Sequence, residues 1–361
     1  MKSLRTPDAR FDNLADYPFA PHYAEIDDLD GGKLRVHYLD EGPRDGDIVL
    51  LMHGEPSWSY LYRKMIPILV AAGHRVIAPD LVGFGKSDKP TEKTDYSYSR
   101  HVQWMAELLF DHHSIRKSTF FGQDWGGLVG LRLVAAEPER FSRIVVSNTG
   151  LPTGEQPPTD AFIAWRDFSQ NSKVFPIGTI VNGGSATDLS EATIAAYDAP
   201  FPDDTYKAGA RIFPSFVPTS VSDPAYNDNV AAWEILKKFE RPVLCCFSDK
   251  DPVSKGGAKP FMKLIPGAQN QPHVTIEGGG HFVQEDKGEE VAALINSFIA
   301  STPLYRTPQW KSHCLELEAH YPTHVEADQQ HWFAQVDKPS SWTLVEQSSC
   351  ASREPAHCPF C

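Results

Sequence analysis

Short apolar runs alternate along the chain with longer segments whose apolar residues recur at helical spacing. Residues 34–39 alternate between apolar and polar positions, which is typical of a strand with one buried face. Residues 48–52 form an unbroken apolar run, as expected of a strand covered on both faces. Further strands are predicted at residues 75–78, 119–121, 144–146, 242–247 and 274–276.

Helical patterns separate these predicted strands. They cover residues 59–72, 98–112, 126–136 and 289–299. In the last of them Val291, Leu294, Ile295 and Phe298 share one face, which indicates an amphipathic helix. Alternation of strand and helix predicts an α/β fold with a mostly parallel, doubly wound sheet.

The alternation stops between residues 150 and 230, where prolines, glycines and aromatic residues are frequent. Two helical patterns remain, at 160–170 and 190–197. We therefore expect residues 1–149 and 231–301 to form the core and residues 150–230 to form an inserted helical cap.

Residues 302–361 form a C-terminal extension without sustained periodicity. They contain 4 of the 6 cysteines and end in a Cys-x-x-Cys motif, Cys358 to Cys361. His320 and His324 could complete a zinc site, but the spacing is a weak signal, so a zinc-dependent interaction module is only an alternative. We expect a poorly ordered appendix.

The composition narrows the class of protein. With 41% hydrophobic and 22% charged residues, the chain can bury a sizeable core. The net charge of −13 argues against a nucleic-acid partner, because phosphates would be repelled. Residues 1–16 lack the apolar segment of a secretory signal, and no run could cross a bilayer. We expect a cytoplasmic protein without a membrane partner, and reduced core thiols at Cys245 and Cys246.

The clearest chemical signal is the sequence Gly122-Gln123-Asp124-Trp125-Gly126. It follows a predicted strand and precedes a predicted helix, the context of a nucleophile elbow, with Asp124 where serine is common. An N-capping aspartate in a surface turn is the alternative.

Candidate partners follow in the order expected of a hydrolase, in which the nucleophile precedes the acid and the histidine. Asp249 and Asp251 come after the strand at 242–247, and His281 follows a glycine run after the strand at 274–276. Both are candidates for the acid, and a turn-forming proline follows Asp251. After the strand at 48–52 comes Glu55, whose N–H should complete an oxyanion hole with that of Trp125.

An aspartate nucleophile restricts the reaction. It is anionic at neutral pH and needs no base to attack. Displacement at a saturated carbon would leave an alkyl ester on Asp124, which His281 could hydrolyse by activating water while Asp251 orients its imidazole. Alkyl halides and epoxides are the substrates that fit.

At this point residues 4–300 resemble the haloalkane dehalogenases, specifically the subfamily with an Asp–His–Asp triad and two halide-binding tryptophans. The motifs that carry the resemblance are His53 to Trp58, Pro79 to Pro90, Gly122 to Gly127, Ala164 to Arg166, Ala199 to Pro202 and Gly280 to Glu285. The resemblance implies an α/β-hydrolase fold with the cap inserted after the sixth strand. The 60-residue extension has no counterpart in the family pattern.

The resemblance also implies roles for individual residues. Asp124 would be the nucleophile, His281 the base and Asp251 the acid. The indoles of Trp125 and Trp165 would hold the halide, because each presents one donor on an apolar ring. Asn148 stands where a sister subfamily keeps its acid, and we expect it to be structural.

The expected ligands are a small haloalkane, water and halide, with no cofactor or metal, and we expect a monomer. Aromatic cap residues should line the cavity, with Phe168, Phe175 and Phe216 as further candidates. The substrate pocket is predicted at Phe162, Phe213, Val217 and Val253.

Three rival functions remain. An epoxide hydrolase would need two cap tyrosines, for which Tyr197 and Tyr206 are candidates. A fluoroacetate-type dehalogenase would need a pair of arginines near the elbow. A non-catalytic ligand-binding relative would not need the complete triad.

Overall fold

Eight strands form the central sheet of the computed structural model, which describes residues 1–303. The strands are β1 (His22–Asp27), β2 (Lys33–Glu41), β3 (Ile48–Met52), β4 (Arg75–Pro79), β5 (Ser118–Gln123), β6 (Phe141–Ser147), β7 (Val243–Ser248) and β8 (Val274–Ile276). Their order across the sheet is β8-β7-β6-β5-β3-β4-β2-β1. Strands β3 to β8 run parallel, and β1 and β2 are antiparallel to their neighbours.

The apolar runs of the sequence occupy the middle of this sheet. Strand β3 lies between β4 and β5, where helices cover both faces, and this explains why its run is unbroken. Strand β1 was not predicted from the sequence, because it lies at the edge of the sheet and mixes polar with apolar residues. A separate two-stranded ribbon pairs Ser3–Leu4 with Lys89–Pro90.

Two groups of helices cover the sheet. Helix α1 (Ile66–Ala71) packs against the long C-terminal helix α10 (Val283–Ser301). Helix α3 (Trp125–Ala136) packs against α2 (Tyr98–Ala106) and α8 (Tyr226–Leu236). The doubly wound α/β architecture predicted from the sequence is confirmed.

Four α-helices lie in the insertion between β6 and α8. They are α4 (Asp160–Asn171), α5 (Ile177–Gly184), α6 (Glu191–Asp198) and α7 (Ala208–Ile212). Side chains cap two of them, because Thr159 accepts from the N–H of Phe162 and Ser190 from that of Thr193. The predicted boundary at residue 230 falls inside α8.

Helix α9 (Ala258–Leu264) follows β7. Short helical turns connect the larger elements at Asp8–Phe11, Ser59–Tyr62, Lys93–Asp95, Glu107–His112, Pro138–Arg140, Asp204–Tyr206, Phe213–Phe216 and Pro266–Ala268.

Three further predictions concern the cysteines, membrane spans and the C-terminal extension. Cys245 and Cys246 are buried free thiols in β7, as expected. Within residues 1–303, no helix is long and apolar enough to cross a bilayer. The predictions for the C-terminal extension concern residues 302–361, of which 304–361 lie outside the described residues.

Candidate active site

Asp124 occupies a sharp turn between β5 and α3. Its backbone has φ 49° and ψ −128°, in the region that non-glycine residues rarely adopt. The turn needs a small residue at position 126, because a Cβ on Gly126 would lie 1.9 Å from the carbonyl oxygen of Met52. This is the geometry of a nucleophile elbow, with the aspartate presented above the sheet.

The two carboxylate oxygens of Asp124 have different surroundings. Oδ1 accepts a hydrogen bond from the backbone N–H of Glu55 at 2.8 Å. Oδ2 lies 3.5 Å from Nε2 of His281. The predicted donor at Glu55 is therefore in place, whereas the matching N–H of Trp125 stays a prediction. One oxygen is held by the backbone, and the other faces the histidine.

His281 and Asp251 lie at the carboxyl ends of neighbouring parallel strands, β8 and β7. Nδ1 of His281 is 2.9 Å from Oδ2 of Asp251. Asp251 is buried and also accepts from the N–H of Val253 at 2.8 Å and from the hydroxyl of Ser254. Burial alone would raise the pKa of Asp251, but the charge of His281 and these hydrogen bonds lower it to about 2. Asp251 is therefore a carboxylate at neutral pH.

The competing carboxylate, Asp249, points elsewhere. Its Oδ1 accepts from the N–H of Gly278 at 2.8 Å and so shapes the loop after β8. Of the two candidates it is Asp251 that contacts His281.

The pKa of His281 is raised well above its ordinary value. Burial would lower it, but the charge of Asp251 and the hydrogen bonds with Asp124 and Asp251 outweigh this effect. The two neighbouring carboxylates therefore favour the protonated form of His281.

Glu55 contributes more than its backbone. Its side chain is buried next to Asp124, and its Oε1 has no hydrogen-bond partner among the described residues. Burial and then the charge of Asp124 raise the pKa of Glu55 well above its ordinary value. The side chain therefore keeps its proton to a higher pH than an exposed glutamate would, which the sequence did not indicate.

Both predicted halide-binding tryptophans line the same cavity as Asp124. The ring of Trp125 is buried, with Tyr98 and Phe213 edge-on at centroid distances of 4.9 and 4.8 Å. Trp165, in cap helix α4, stacks on Phe168 and Phe175 at 6.0 and 5.8 Å. Aromatic neighbours fix both indoles, one from the core and one from the cap.

The cavity has a volume of about 1030 Å³ and lies between the core and the cap. Phe162, Val217 and Val253 line it, as predicted. Phe213 does not, and that prediction is wrong. Its ring is fully buried behind Trp125, packed edge-on against Phe84 and His101 at 4.8 and 4.4 Å, because the turn that carries it faces the core.

The other aromatic candidates divide between cavity and interior. Phe168 lines the cavity, whereas Phe175 and Phe216 are absent from the described residues that line it. Phe175 is fully buried as the platform under Trp165.

Two amides hold the histidine loop from the core. Gln123 Nε2 donates to the carbonyl oxygen of His281 at 3.1 Å and lies 3.2 Å from its Nε2. Asn148 Nδ2 donates to the carbonyl oxygens of Gly280 and His281 at 2.9 and 3.0 Å. Asn148 thus supports the loop backbone, consistent with a structural role. Sequence reasoning missed Gln123, although a polar residue at the end of a buried strand was the available signal.

The tyrosines required by the epoxide-hydrolase alternative lie outside the site. The hydroxyl of Tyr197 donates to the buried carboxylate of Glu285, which Arg63 also binds. Neither Tyr197 nor Tyr206 is among the described residues that line the cavity.

The mostly parallel sheet, the elbow that carries Asp124 and the inserted cap define an α/β hydrolase. A family model described as alpha/beta hydrolase fold matches residues 47–288. A haloalkane dehalogenase from Psychrobacter cryohalolentis is 57% identical over 303 residues, which cover 84% of this chain and 100% of the relative. Another from Mycolicibacterium paratuberculosis is 52% identical over 298 residues, 82% of this chain and 98% of the relative. The chain belongs to the haloalkane dehalogenase family.

The solved structures agree with this assignment. The tetrameric structure of haloalkane dehalogenase DpaA from Paraglaciecola agarilytica is 38% identical, with a TM-score of 0.74, and the match covers 81% of this chain and 97% of that one. The tetramer belongs to that protein, and a monomer stays the prediction for this chain.

Proposed function

We propose that the protein hydrolyses haloalkanes to an alcohol, a halide and a proton through a covalent ester on Asp124. The observation that carries the proposal is the division of the Asp124 carboxylate between Glu55 and His281. With Oδ1 held by a backbone N–H at 2.8 Å, Oδ2 is left to attack the substrate.

In the first half-reaction, Oδ2 of Asp124 attacks the carbon that bears the halogen. A carbon–oxygen bond forms, and the carbon–halogen bond breaks with its electron pair leaving on the halide. The indole N–H groups of Trp125 and Trp165 bind that anion, and the apolar cavity removes water from the attacking carboxylate. This step needs no base, because Asp124 is already charged.

In the second half-reaction, His281 takes a proton from water and the resulting hydroxide adds to Cγ of the ester. Negative charge develops on Oδ1, where the N–H of Glu55 donates to it. Collapse of this intermediate breaks the bond from Cγ to the alkoxide oxygen. The protonated His281 gives its proton to the departing alkoxide, which leaves as the alcohol. Asp124 keeps one oxygen from water and releases the second proton of that water, so the products are an alcohol, a halide and one proton.

The charge of Asp124 controls when His281 can act as a base. In the free protein, Asp124 and Asp251 together raise the pKa of His281. Alkylation makes Asp124 neutral and removes one of the two charges, so the pKa of His281 falls. His281 then releases its proton to solvent, and the neutral imidazole accepts one from water once there is an ester to hydrolyse.

Trapping of the ester tests this mechanism. His281→Gln should release about one equivalent of bromide per enzyme from a 1-bromoalkane and then stall, because only the base is missing. Intact-mass and peptide analysis should place one alkyl group on Asp124, and Asp124→Asn should acquire none. Folded His281→Gln protein without the adduct, beside active wild type, would contradict the covalent route.

A substrate panel separates haloalkane hydrolysis from the epoxide alternative. Bromoalkanes, chloroalkanes, fluoroacetate and epoxides are incubated with the wild type, and halide and diol are measured separately. Halide release from alkyl halides without diol from epoxides is the expected pattern. Diol formation as the dominant activity would favour an epoxide hydrolase.

A further inference from the structure

The loop that carries His281 is bound directly to the cap. The backbone N–H groups of His281 and Phe282 both donate to the carbonyl oxygen of Gly184, at 2.7 and 3.3 Å. Gly184 is the last residue of α5. The cap therefore contacts the backbone of the candidate base itself.

One carboxylate joins the same two loops a second time. Oδ2 of Asp286 accepts from the N–H of Gly280 at 2.8 Å and from that of Ala186 at 2.9 Å. Oδ1 accepts from the N–H and the hydroxyl of Thr187, at 2.9 and 2.6 Å. Asp286 is thus bonded on one side to the residue before His281 and on the other to two successive cap residues.

The two loops approach so closely that neither can carry a side chain at the contact. A Cβ on Gly280 would lie 2.6 Å from the carbonyl oxygen of Gly184. A Cβ on Gly184 would lie 2.7 Å from the ring of Phe282. The backbone at Gly280 packs on the cap backbone, and the ring of Phe282 fills the space at Gly184, so a shift of the cap loop moves the histidine loop with it.

We propose that Asp286 is a positioning residue that fixes His281 for hydrolysis of the ester, an inference that rests on the mechanism proposed above. The core holds this loop through Gln123 and Asn148, and the cap holds it through Asp286. Since Asp286 binds the N–H of Gly280, the residue before His281, its loss should displace the imidazole from the ester. The alkylation step, which does not use the imidazole, should continue.

The experiment measures the two half-reactions separately in Asp286→Ala and Asp286→Asn. Each variant is mixed rapidly with a 1-bromoalkane, the bromide burst is followed, and the enzyme is quenched at steady state for intact-mass analysis. We expect ester hydrolysis to slow about ten- to a hundred-fold in Asp286→Ala, as for a base displaced by about 1 Å. The burst rate should stay within about two-fold of wild type, and alkylated Asp124 should become the main species.

Control variants distinguish a specific effect of Asp286 from a general disturbance of the fold. Glu289→Ala alters an exposed acidic residue of the same helix and should behave as wild type. Asp286→Asn keeps one carbonyl acceptor and should give a smaller defect of the same kind. If Asp286→Ala fails to fold, Thr187→Val removes only the hydroxyl that donates to Oδ1, and a hydrolysis-specific slowing is expected there as well.

The outcomes are distinguishable. Equal loss of burst and hydrolysis, or no loss of either, would overturn the positioning role of Asp286. His281→Gln is assayed in parallel as the reference for a trapped ester. If even that variant accumulates no ester, the covalent mechanism fails, and the result does not concern Asp286 alone.

Discussion

The backbone N–H of Glu55 binds Oδ1 of Asp124 at 2.8 Å, while the carboxyl group of the same glutamate is buried beside that aspartate. One residue therefore supplies a backbone donor to the nucleophile and, next to it, a carboxyl group whose pKa is raised by burial and by the charge of Asp124. The two functions are separable, because the backbone donor survives a change of side chain.

Glu55→Gln tests whether the carboxyl group is neutral. Its pKa is raised above the ordinary value of 4.5, so the folded protein retains a proton that the unfolded chain releases as the pH rises. Wild-type stability is lost over that range, whereas glutamine has no proton to retain. The melting temperature of Glu55→Gln relative to wild type should therefore be higher at about pH 8 than at about pH 5. If the difference in melting temperature between Glu55→Gln and wild type is the same at both pH values, Glu55 ionises in the folded protein as it does in the unfolded chain.

Asp124→Asn mimics the neutral, alkylated state of the nucleophile. The carboxylate of Asp124 raises the pKa of His281, so its replacement by an amide should lower that pKa, while Asp251 keeps it above that of a buried histidine with no charged neighbour. NMR titration of the His281 ring in wild type and Asp124→Asn measures the difference directly. If the pKa of His281 is the same in both proteins, the charge of Asp124 does not control when His281 acts as a base.

Trp165→Phe tests the cap half of the halide site. Phenylalanine keeps the stacking on Phe168 and Phe175 but lacks the N–H donor. Loss of a hydrogen bond to a charged group costs ~1.5–3 kcal/mol, or about ten- to a hundred-fold in rate where the carbon–halogen bond limits turnover. Chloride should also quench the remaining tryptophan fluorescence less effectively. Trp104→Phe, at a buried indole that does not line the cavity, is the control.

Two truncations of the C-terminal extension test where the fold ends. The sequence pattern predicts that removal of everything after Ala300 is tolerated, but the buried guanidinium of Arg143 donates to the carbonyl oxygen and hydroxyl of Thr302, at 3.0 and 2.7 Å. A chain ending at Ala300 loses these acceptors and should melt several degrees lower, since a buried guanidinium that loses hydrogen-bond acceptors is costly. A chain ending at Pro303 should keep both melting temperature and dehalogenation. Equal melting temperatures for the two truncations would mean that Thr302 is dispensable.

The central strands of the fold and the three residues of the candidate triad could be predicted from the sequence. Strands such as β3 and β6 are buried on both faces, so their unbroken apolar runs were visible. Asp124, Asp251 and His281 each follow a predicted parallel strand, and the carboxyl ends of parallel strands meet at one edge of a sheet.

Other features depend on contacts between distant segments and left no local signal. The aromatic pattern around Phe213 could not separate a ring that faces the cavity from one that packs behind Trp125. Asp286 lies in a charged stretch of helix whose partners, Gly280 and Thr187, are far apart in the chain. The pKa of Glu55 follows from burial, which the sequence does not specify.

The contact between the histidine loop and cap residues 184–187 also limits how this architecture can be recombined. Asp286 and its neighbour Glu285 both bind the cap, Glu285 through the hydroxyl of Tyr197. A chimera that receives a foreign cap at the junctions of the insertion would therefore separate both carboxylates from their partners. Exchange of caps between relatives, in the laboratory or during evolution, requires that residues 280–286 be inherited together with the cap they hold.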